Sequence, residues 1–474
     1  MPLIEINSFH GGMNLSVNPL LLKPYEASLA KNVELSEIGT LKKATGYALL
    51  KALGTTPISE VKTLYSFYKI ESSGITRFLL AEWNNALYKY DFFTNSWVQI
   101  ATGINTSEPS TWITYRNLAI RFNRNDVPKK FDGNTLSNLG GNPPQGKYAV
   151  VYKERVYVAG VAPNFSTLYW SDIGNPEAWN PNSNLDLNAN DGDQITALAV
   201  LGDSLLVFKE NSIWELQVDQ QNVISFKRLF AQSIGTTSAR SIANIHNVLY
   251  FYDRNGVWAI FQKYPELISA KVQPFINAIT NPYNVVSWAW KNKYYLYVGD
   301  IQYQDRNFKN VVLVYDTVYN QWTFRTFAHK ILTATDFIKA DNTKTLYMGD
   351  NQNNVWEFDK GYQHGTEDIE VEYELPIFQP EDPFKRKIFK EVMIRLKDVA
   401  KTKISVSFSV DGSDFESLGE AENIYSVFPV AKKLGREEGR DLRLKILEIS
   451  KYEMSPVLQI VINWDVIKAV SPQK

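Results

Sequence analysis

Tyr90-Asp91-Phe92-Phe93-Thr94-Asn95-Ser96-Trp97 and Tyr315-Asp316-Thr317-Val318-Tyr319-Asn320-Gln321-Trp322 carry one pattern. In each, a Tyr-Asp pair is followed by Asn and then Trp at the same spacing. The copies lie in apolar, aromatic runs more than two hundred residues apart, so the chain repeats a structural unit. Each copy predicts a strand, a tight turn containing Asn and a second strand opening on Trp, because Asn and Asp tolerate turn angles that branched residues do not. Repetition at this level decides the architecture before any chemistry is considered.

A looser repeat supports the first. Asn211-Ser212-Ile213-Trp214, Asn255-Gly256-Val257-Trp258 and Asn353-Asn354-Val355-Trp356 read as hairpins, with Asn84-Asn85-Ala86-Leu87-Tyr88 as a degenerate copy. Asn-Gly supplies the positive φ angles that a two-residue hairpin needs, and the aromatic after it lands on a buried face. Trp97, Trp214, Trp258, Trp322 and Trp356 are therefore read as core residues set by the repeat, with Asp91, Asn95, Asp316 and Asn320 shaping its turns.

Working outward, groups of strands begin near Val61, Trp112, Tyr148, Ile195, Ser241, Val286 and Leu332. The later intervals are about 45 residues, the spacing of four-stranded propeller blades. The unit at Ile195 shows the pattern: four short apolar runs separated by Gly202-Asp203, Glu210-Asn211 and a polar stretch before Ile224. The unit around Trp112 to Leu139 is shorter, which leaves six blades open, though seven are favoured. The predicted fold is thus all-β: an extended N-terminal arm over residues 1–56 with one short helix near Tyr25 to Lys31, a β-propeller over 57–363, and a β-sandwich over 364–474. Closing the propeller removes the exposed sheet edges that invite aggregation and leaves a central channel.

Bulk properties exclude several function classes. The 50 basic and 51 acidic side chains leave a net charge of -1, which argues against an electrostatic nucleic-acid or membrane-surface binder. There are no cysteines, so disulfide scaffolds, thiolate metal sites and cysteine nucleophiles are ruled out, in keeping with assembly in a reducing cytoplasm. Met1-Pro2-Leu3-Ile4-Glu5 lacks the basic start and apolar stretch of a signal peptide, and no run approaches the roughly 20 apolar residues that span a bilayer. Neither a secretory route nor membrane insertion is expected.

No constellation names a catalytic residue, and none is assigned. His10, His246, His329 and His364 lie in different units without metal-ligand spacing, and no Gly-x-Ser-x-Gly elbow is present. Gly141-Asn142-Pro143-Pro144-Gln145-Gly146-Lys147 has the spacing of a phosphate-binding loop. However, Tyr148 stands where Ser or Thr belongs, and Pro143 and Pro144 lack the N-H donors that cradle phosphate, so it reads as a stiff inter-blade loop. The one metal candidate is a calcium-type loop: Asp186, Asn188, Asn190, Asp191 and Asp193. Its glycine, Gly192, comes one place late and Ala197 stands where a bidentate Glu belongs, so a polar connector with Asx turns is preferred and no metal or cofactor is expected. Ser171-Asp172-Ile173-Gly174 and Ser409-Val410-Asp411-Gly412 resemble the Asp-box turns of sialidases without the full spacing, and Asp341 and Asp350 are equally explained as turn residues.

Leu168-Tyr169-Trp170-Ser171-Asp172-Ile173-Gly174-Asn175-Pro176-Glu177-Ala178-Trp179, with Asp191 to Leu198 and Leu205 to Trp214, resembles a stretch found in tail proteins of short-tailed bacteriophages. The class it resembles is the nozzle, or packaged-DNA stabilisation, protein of the tail hub. The run Gly11-Gly12-Met13-Asn14, then Asn32 to Leu35 and Gly39-Thr40-Leu41, is similar to the opening of many such proteins. There the opening commonly ends in an Arg-x-Pro-Gly-like turn, where this chain has Lys43-Ala44-Thr45-Gly46.

The resemblance implies a non-enzymatic structural protein of the virion tail, assembled in the host cytoplasm. It implies a homo-oligomeric ring, sixfold, below portal and adaptor and in contact with tail fibre or needle proteins. That ring would retain packaged double-stranded DNA and conduct it during ejection. Duplex DNA carries about one charge per 1.7 Å of axis, so a lysine-lined conduit would trap it. A charge-balanced chain can instead present a neutral or acidic lumen. The competing expectation is a propeller glycan-binding protein or glycoside hydrolase acting on a cell surface, with the sandwich as its sugar-binding part. A third is a cytoplasmic propeller scaffold.

Overall fold

The computed structural model describes residues 2–35, 39–189, 191–261, 264–398, 402–430 and 438–466. Turn chemistry builds its hairpins. Arg116-Asn117, Lys153-Glu154, His246-Asn247 and Lys291-Asn292 each place two consecutive residues at positive φ between antiparallel strands, as does Asn84-Asn85. Such two-residue turns match the right-handed twist of the strands they join.

Among the described residues these hairpins assemble into seven four-stranded antiparallel blades. The innermost strands are Thr63–Glu71, Thr111–Tyr115, Tyr148–Tyr152, Ile195–Leu201, Ala243–Ile245, Val286–Trp290 and Ile331–Ile338, all within two residues of the positions that the repeat spacing predicts. The short second unit is a complete blade of Thr111–Tyr115, Leu118–Phe122, Lys129–Phe131 and Leu136–Asn138, which makes the count seven rather than six.

The hydrophobic core lies between blades. In Ser204–Lys209 of blade 4, Leu205 and Val207 pack with Tyr157 and Leu168 of blade 3, while Leu206 and Phe208 pack with Leu249 and Phe251 of blade 5. Alternate side chains of one strand thus feed two apolar layers, which is why such strands read as unbroken hydrophobic runs. Equivalent layers join every neighbouring pair, including Leu79, Trp83 and Tyr90 of blade 1 with Phe337, Tyr347 and Val355 of blade 7. That last layer closes the circle, and the inner strand Ile331–Ile338 packs against Thr63–Glu71.

Blade 7 takes its outermost strand from the other end of the propeller sequence. Ile331–Ile338, Lys344–Asp350 and Asn354–Phe358 are completed by Tyr47–Ala52, which pairs antiparallel with Asn354–Phe358. Gly46 leads into this strand where a Cβ would fall 1.8 Å from the Gln363 carbonyl oxygen, so only glycine fits the seam.

Among the described residues of the first 56, short strands are built into both bodies, with one 3-10 turn at Pro19–Leu21. Leu3–Ile6 pairs with Val457–Val466 of the sandwich. The helix expected near Tyr25 to Lys31 is not formed: Glu26–Ala27 and Leu29–Lys31 are strands. A lone helix of that length cannot satisfy its own termini. The edges of Gln321–Thr326 and Glu367–Glu374 instead offer backbone partners on both sides of Leu29–Lys31, and Leu29 and Ala30 are buried there.

The C-terminal body is a β-sandwich. One sheet runs Leu3–Ile6, Val457–Val466, Lys387–Leu396, Tyr425–Pro429, and the other runs Glu367–Glu374, Leu442–Ser450, Ile404–Val410, Glu416–Ala421. The predicted turn at Asp411-Gly412 has both residues at positive φ and joins the last two of these strands. Because Leu29–Lys31 bridges to blade 6, the second sheet continues into the propeller, and the sandwich shares one apolar cluster with blades 5 and 6.

Candidate functional site

The repeat residues form turn clamps. Asp91 Oδ1 accepts the backbone N-H of Phe93 at 2.9 Å, and Asp316 Oδ1 accepts those of Val318 at 3.0 Å and Tyr319 at 3.1 Å. Asn95 and Asn320 take the positive φ, so Tyr90 faces Trp97 and Tyr315 faces Trp322 across the strand pair with ring centroids 5.0 and 4.9 Å apart. A second clamp serves two of the Asn-to-Trp hairpins. Trp258 Nε1 donates to Asp253 Oδ1 at 3.0 Å, and Trp356 Nε1 donates to Asp350 Oδ2 at 2.9 Å, while both carboxylates also accept backbone N-H groups of their turns. Asp350 is thus a turn residue, as is Asp341, which accepts from Thr343.

Blade 4 substitutes Lys209 at the clamp position, and this decides the fate of the calcium-type loop. Lys209 Nζ, fully buried, lies 2.8 Å from both Asp191 oxygens and 2.9 Å from the Leu187 carbonyl. Burial would raise the Asp191 carboxyl, but the ammonium and neighbouring N-H groups hold it below its usual range. Asp193 accepts from the Asn211 N-H and from Ser212 Oγ at 2.9 Å, and Asp186 accepts from Thr167 Oγ1. Asn188 sits in the left-handed region, and Asn190 lies outside the described residues. The loop is therefore tied to blade 4 by its own cation.

Three further segments are also packing devices. The Gly141 to Lys147 stretch connects blades 2 and 3, with Lys147 Nζ 2.6 Å from Glu108. Ser171 to Trp179 is the long connection before the last strand of blade 3, and its Glu177 holds Lys130 and the Gly140 N-H of blade 2. His329 and His364, which look unrelated in sequence, both contact Tyr47. His364 stacks on its ring at 4.7 Å, and His329 Nδ1 lies 3.0 Å from its hydroxyl.

One concave feature is announced by no motif. The connections leading into all seven innermost strands converge at one end of the propeller axis, around a cavity of about 450 Å³. Each blade contributes: Lys62, Glu108, Tyr148, Gln194, Arg240, Tyr283 and Lys330, with Arg124 and Glu210 from links between second and third strands.

Its carboxylates are already engaged. Glu60 lies 3.1 Å from Lys62, Glu108 pairs with Lys147, and Glu210 accepts from Gln194 at 2.9 Å and lies 3.6 Å from Arg254. Five cationic and three anionic side chains line the space. Arg240 donates to the Leu332 carbonyl at 2.8 Å and meets no carboxylate among the described residues. Desolvation pulls its guanidinium down to about 10, still cationic at neutral pH, and burial pushes the Tyr148 hydroxyl up to about 12, so that it remains a neutral donor.

Fold and funnel together define a seven-bladed β-propeller carrying a sandwich on the outer edge of blade 6. No family model and no curated protein matches the chain. Among solved structures it is similar to one described as the extracellular domain of a one component system, BT4673, from B. thetaiotaomicron, at a TM-score of 0.46 and 10% identity over 92% of this chain. The chain spans 62% of that domain's length. Among the described residues no helix is long and apolar enough to cross a membrane.

Proposed function

We propose that this chain is a structural subunit of a short-tailed bacteriophage tail. It would form a homo-oligomeric ring below portal and adaptor that retains packaged DNA and conducts it during ejection. The observation that carries the reading is the stretch from Leu168 to Trp214, whose resemblance to nozzle-type tail proteins covers the last half of blade 3 and the core of blade 4. A second observation is mechanical. The first 52 residues thread the sandwich, the junction and blade 7 in turn, so propeller and sandwich are stitched into one body, a construction suited to a wall segment. Large apolar side chains remain open on both bodies, Phe93 at 94% and Phe384 at 90% exposure, and ring neighbours would cover such surfaces.

Imaging of the purified protein, alone and with portal and adaptor of the same virus, tests this. Closed rings with an axial opening support it. Monomers at every concentration, with saturable binding to cell-surface glycans, would replace it with the glycan-binding reading.

A further inference from the structure

We propose that the axial funnel of the propeller is a binding site for a small molecule bearing an oxyanion, a phosphate or carboxylate group held by Arg240, Tyr148 and Lys330. The inference is independent of ring assembly and rests on which polar groups in the funnel already have partners. The hydroxyls of Thr237 and Ser238 donate to the Pro282 and Val285 carbonyls at 2.8 Å, so they are turned into the scaffold. Lys62 and Lys147 are neutralised by Glu60 and Glu108.

What is left is a set of donors without acceptors. One Arg240 N-H is used on Leu332, no other side-chain hydrogen bond of Arg240 is made among the described residues, and Arg240 lines the cavity. No hydrogen-bond acceptor among the described residues meets the Tyr148 hydroxyl or the Lys330 ammonium, and both line the same cavity.

These three groups come from blades 5, 3 and 7, so no local segment can rearrange to pair them with one another. A guanidinium, a phenol and an ammonium lining one cavity supply donors that an oxyanion accepts, and charge-assisted hydrogen bonds of this kind are the strong ones. The volume is that of a small-molecule pocket, well below what a duplex needs.

The test is calorimetric titration of the full chain at low ionic strength with inorganic pyrophosphate and, separately, with citrate. Wild type is expected to bind at one site per chain. Arg240→Gln and Tyr148→Phe should each weaken binding by about tenfold or more, the loss of one hydrogen bond to a charged group. Tyr148→Phe keeps the ring and guards against misfolding as the explanation. Lys153→Ala, in the hairpin at the far end of blade 3, should bind as wild type does. Tighter binding of pyrophosphate assigns a phosphate ligand, and tighter binding of citrate a carboxylate. Absence of saturable binding by wild type, or equal losses in Lys153→Ala and Arg240→Gln, overturns the proposal.

Discussion

Lys43 Nζ lies 2.7 Å from Glu448 Oε2 with both side chains shut off from solvent, joining residues more than four hundred positions apart. The ammonium also donates to the Ser450 carbonyl at 2.6 Å. Together they pin the N-terminal segment to the sandwich just before it enters blade 7. Removing one member of a buried pair strands the other charge, at about 3–5 kcal/mol, whereas replacing both by apolar groups is often close to neutral. Lys43→Met should therefore lower the unfolding midpoint sharply, and Lys43→Met with Glu448→Leu should recover most of the loss. Denaturant unfolding of the three proteins measures it, and equal destabilisation by the single and double variants would show that the charge is not what matters.

His364 stacks on Tyr47 at the blade 7 seam, and burial, with the cations Arg325 and Lys43 nearby, depresses its pKa from 6.5 to about 3. Desolvation lowers His329 as well, against the pull of Asp350 and Glu367. Below pH 6.5 the unfolded chain takes up protons that the folded chain refuses. Stability must then fall as pH falls toward 3, by up to about 1.4 kcal/mol per pH unit for His364 alone. His364→Phe, which keeps the stacking surface, should flatten that slope. Trp356, packed beside His329, reports it by fluorescence during acid titration; an unchanged midpoint in the variant would exclude His364 as the cause.

Asp350 is fully buried and accepts four hydrogen bonds: two from the backbone, one from Asn354 Nδ2 and one from Trp356 Nε1. Asp350→Ala should cost about 3 kcal/mol or more, since buried donors are left without an acceptor. The same logic separates two tryptophans. Trp356 Nε1 is paired, whereas Trp214 Nε1, in the blade where Lys209 replaces the clamp carboxylate, has no hydrogen-bond partner among the described residues. Trp356→Phe should destabilise more than Trp214→Phe, and thermal unfolding of the two variants decides it.

Phe93 and Phe384 are nearly fully exposed, so Phe93→Ser and Phe384→Ser should leave monomer stability within about 0.5 kcal/mol of wild type. If these surfaces meet ring neighbours, the same changes should shift assembly to higher protein concentration. Light scattering and imaging across a dilution series read this out. Undiminished rings in both variants would place the subunit contacts elsewhere.

The blades were legible because their information is local. Asn95 and Asn320 announce turns within a few residues of the strands they join, and the repeat spacing does the rest, whereas the positive φ expected at Asn255-Gly256 is not taken: the turn there is Arg254-Asn255 and Gly256 opens the next strand. The acidic partner of the clamp was equally visible, since Asp253 and Asp350 stand a few residues before Trp258 and Trp356, but it carried no meaning without the indole nitrogen in view. Leu29–Lys31 and Tyr47–Ala52 were not legible as sheet strands. Their partners, Glu367–Glu374 and Asn354–Phe358, lie some three hundred residues away, and strands of three and six residues have no periodicity to read. The funnel was invisible for the same reason, because Arg240, Tyr148 and Lys330 are single residues on separate blades that only ring closure brings face to face. Lys209 is the intermediate case: one lysine in a carboxylate's place accounts for the acid-rich loop that otherwise looks like a calcium ligand set.

The Tyr47–Ala52 strand leaves the ribosome long before Asn354–Phe358 exists, so the earliest strand of the propeller to be made is the latest to find its seat. Six blades must wait as an open fan whose terminal sheet still lacks its rim. Ring closure therefore couples the two ends of the propeller sequence in one late step, which comes only after Phe358 has been made.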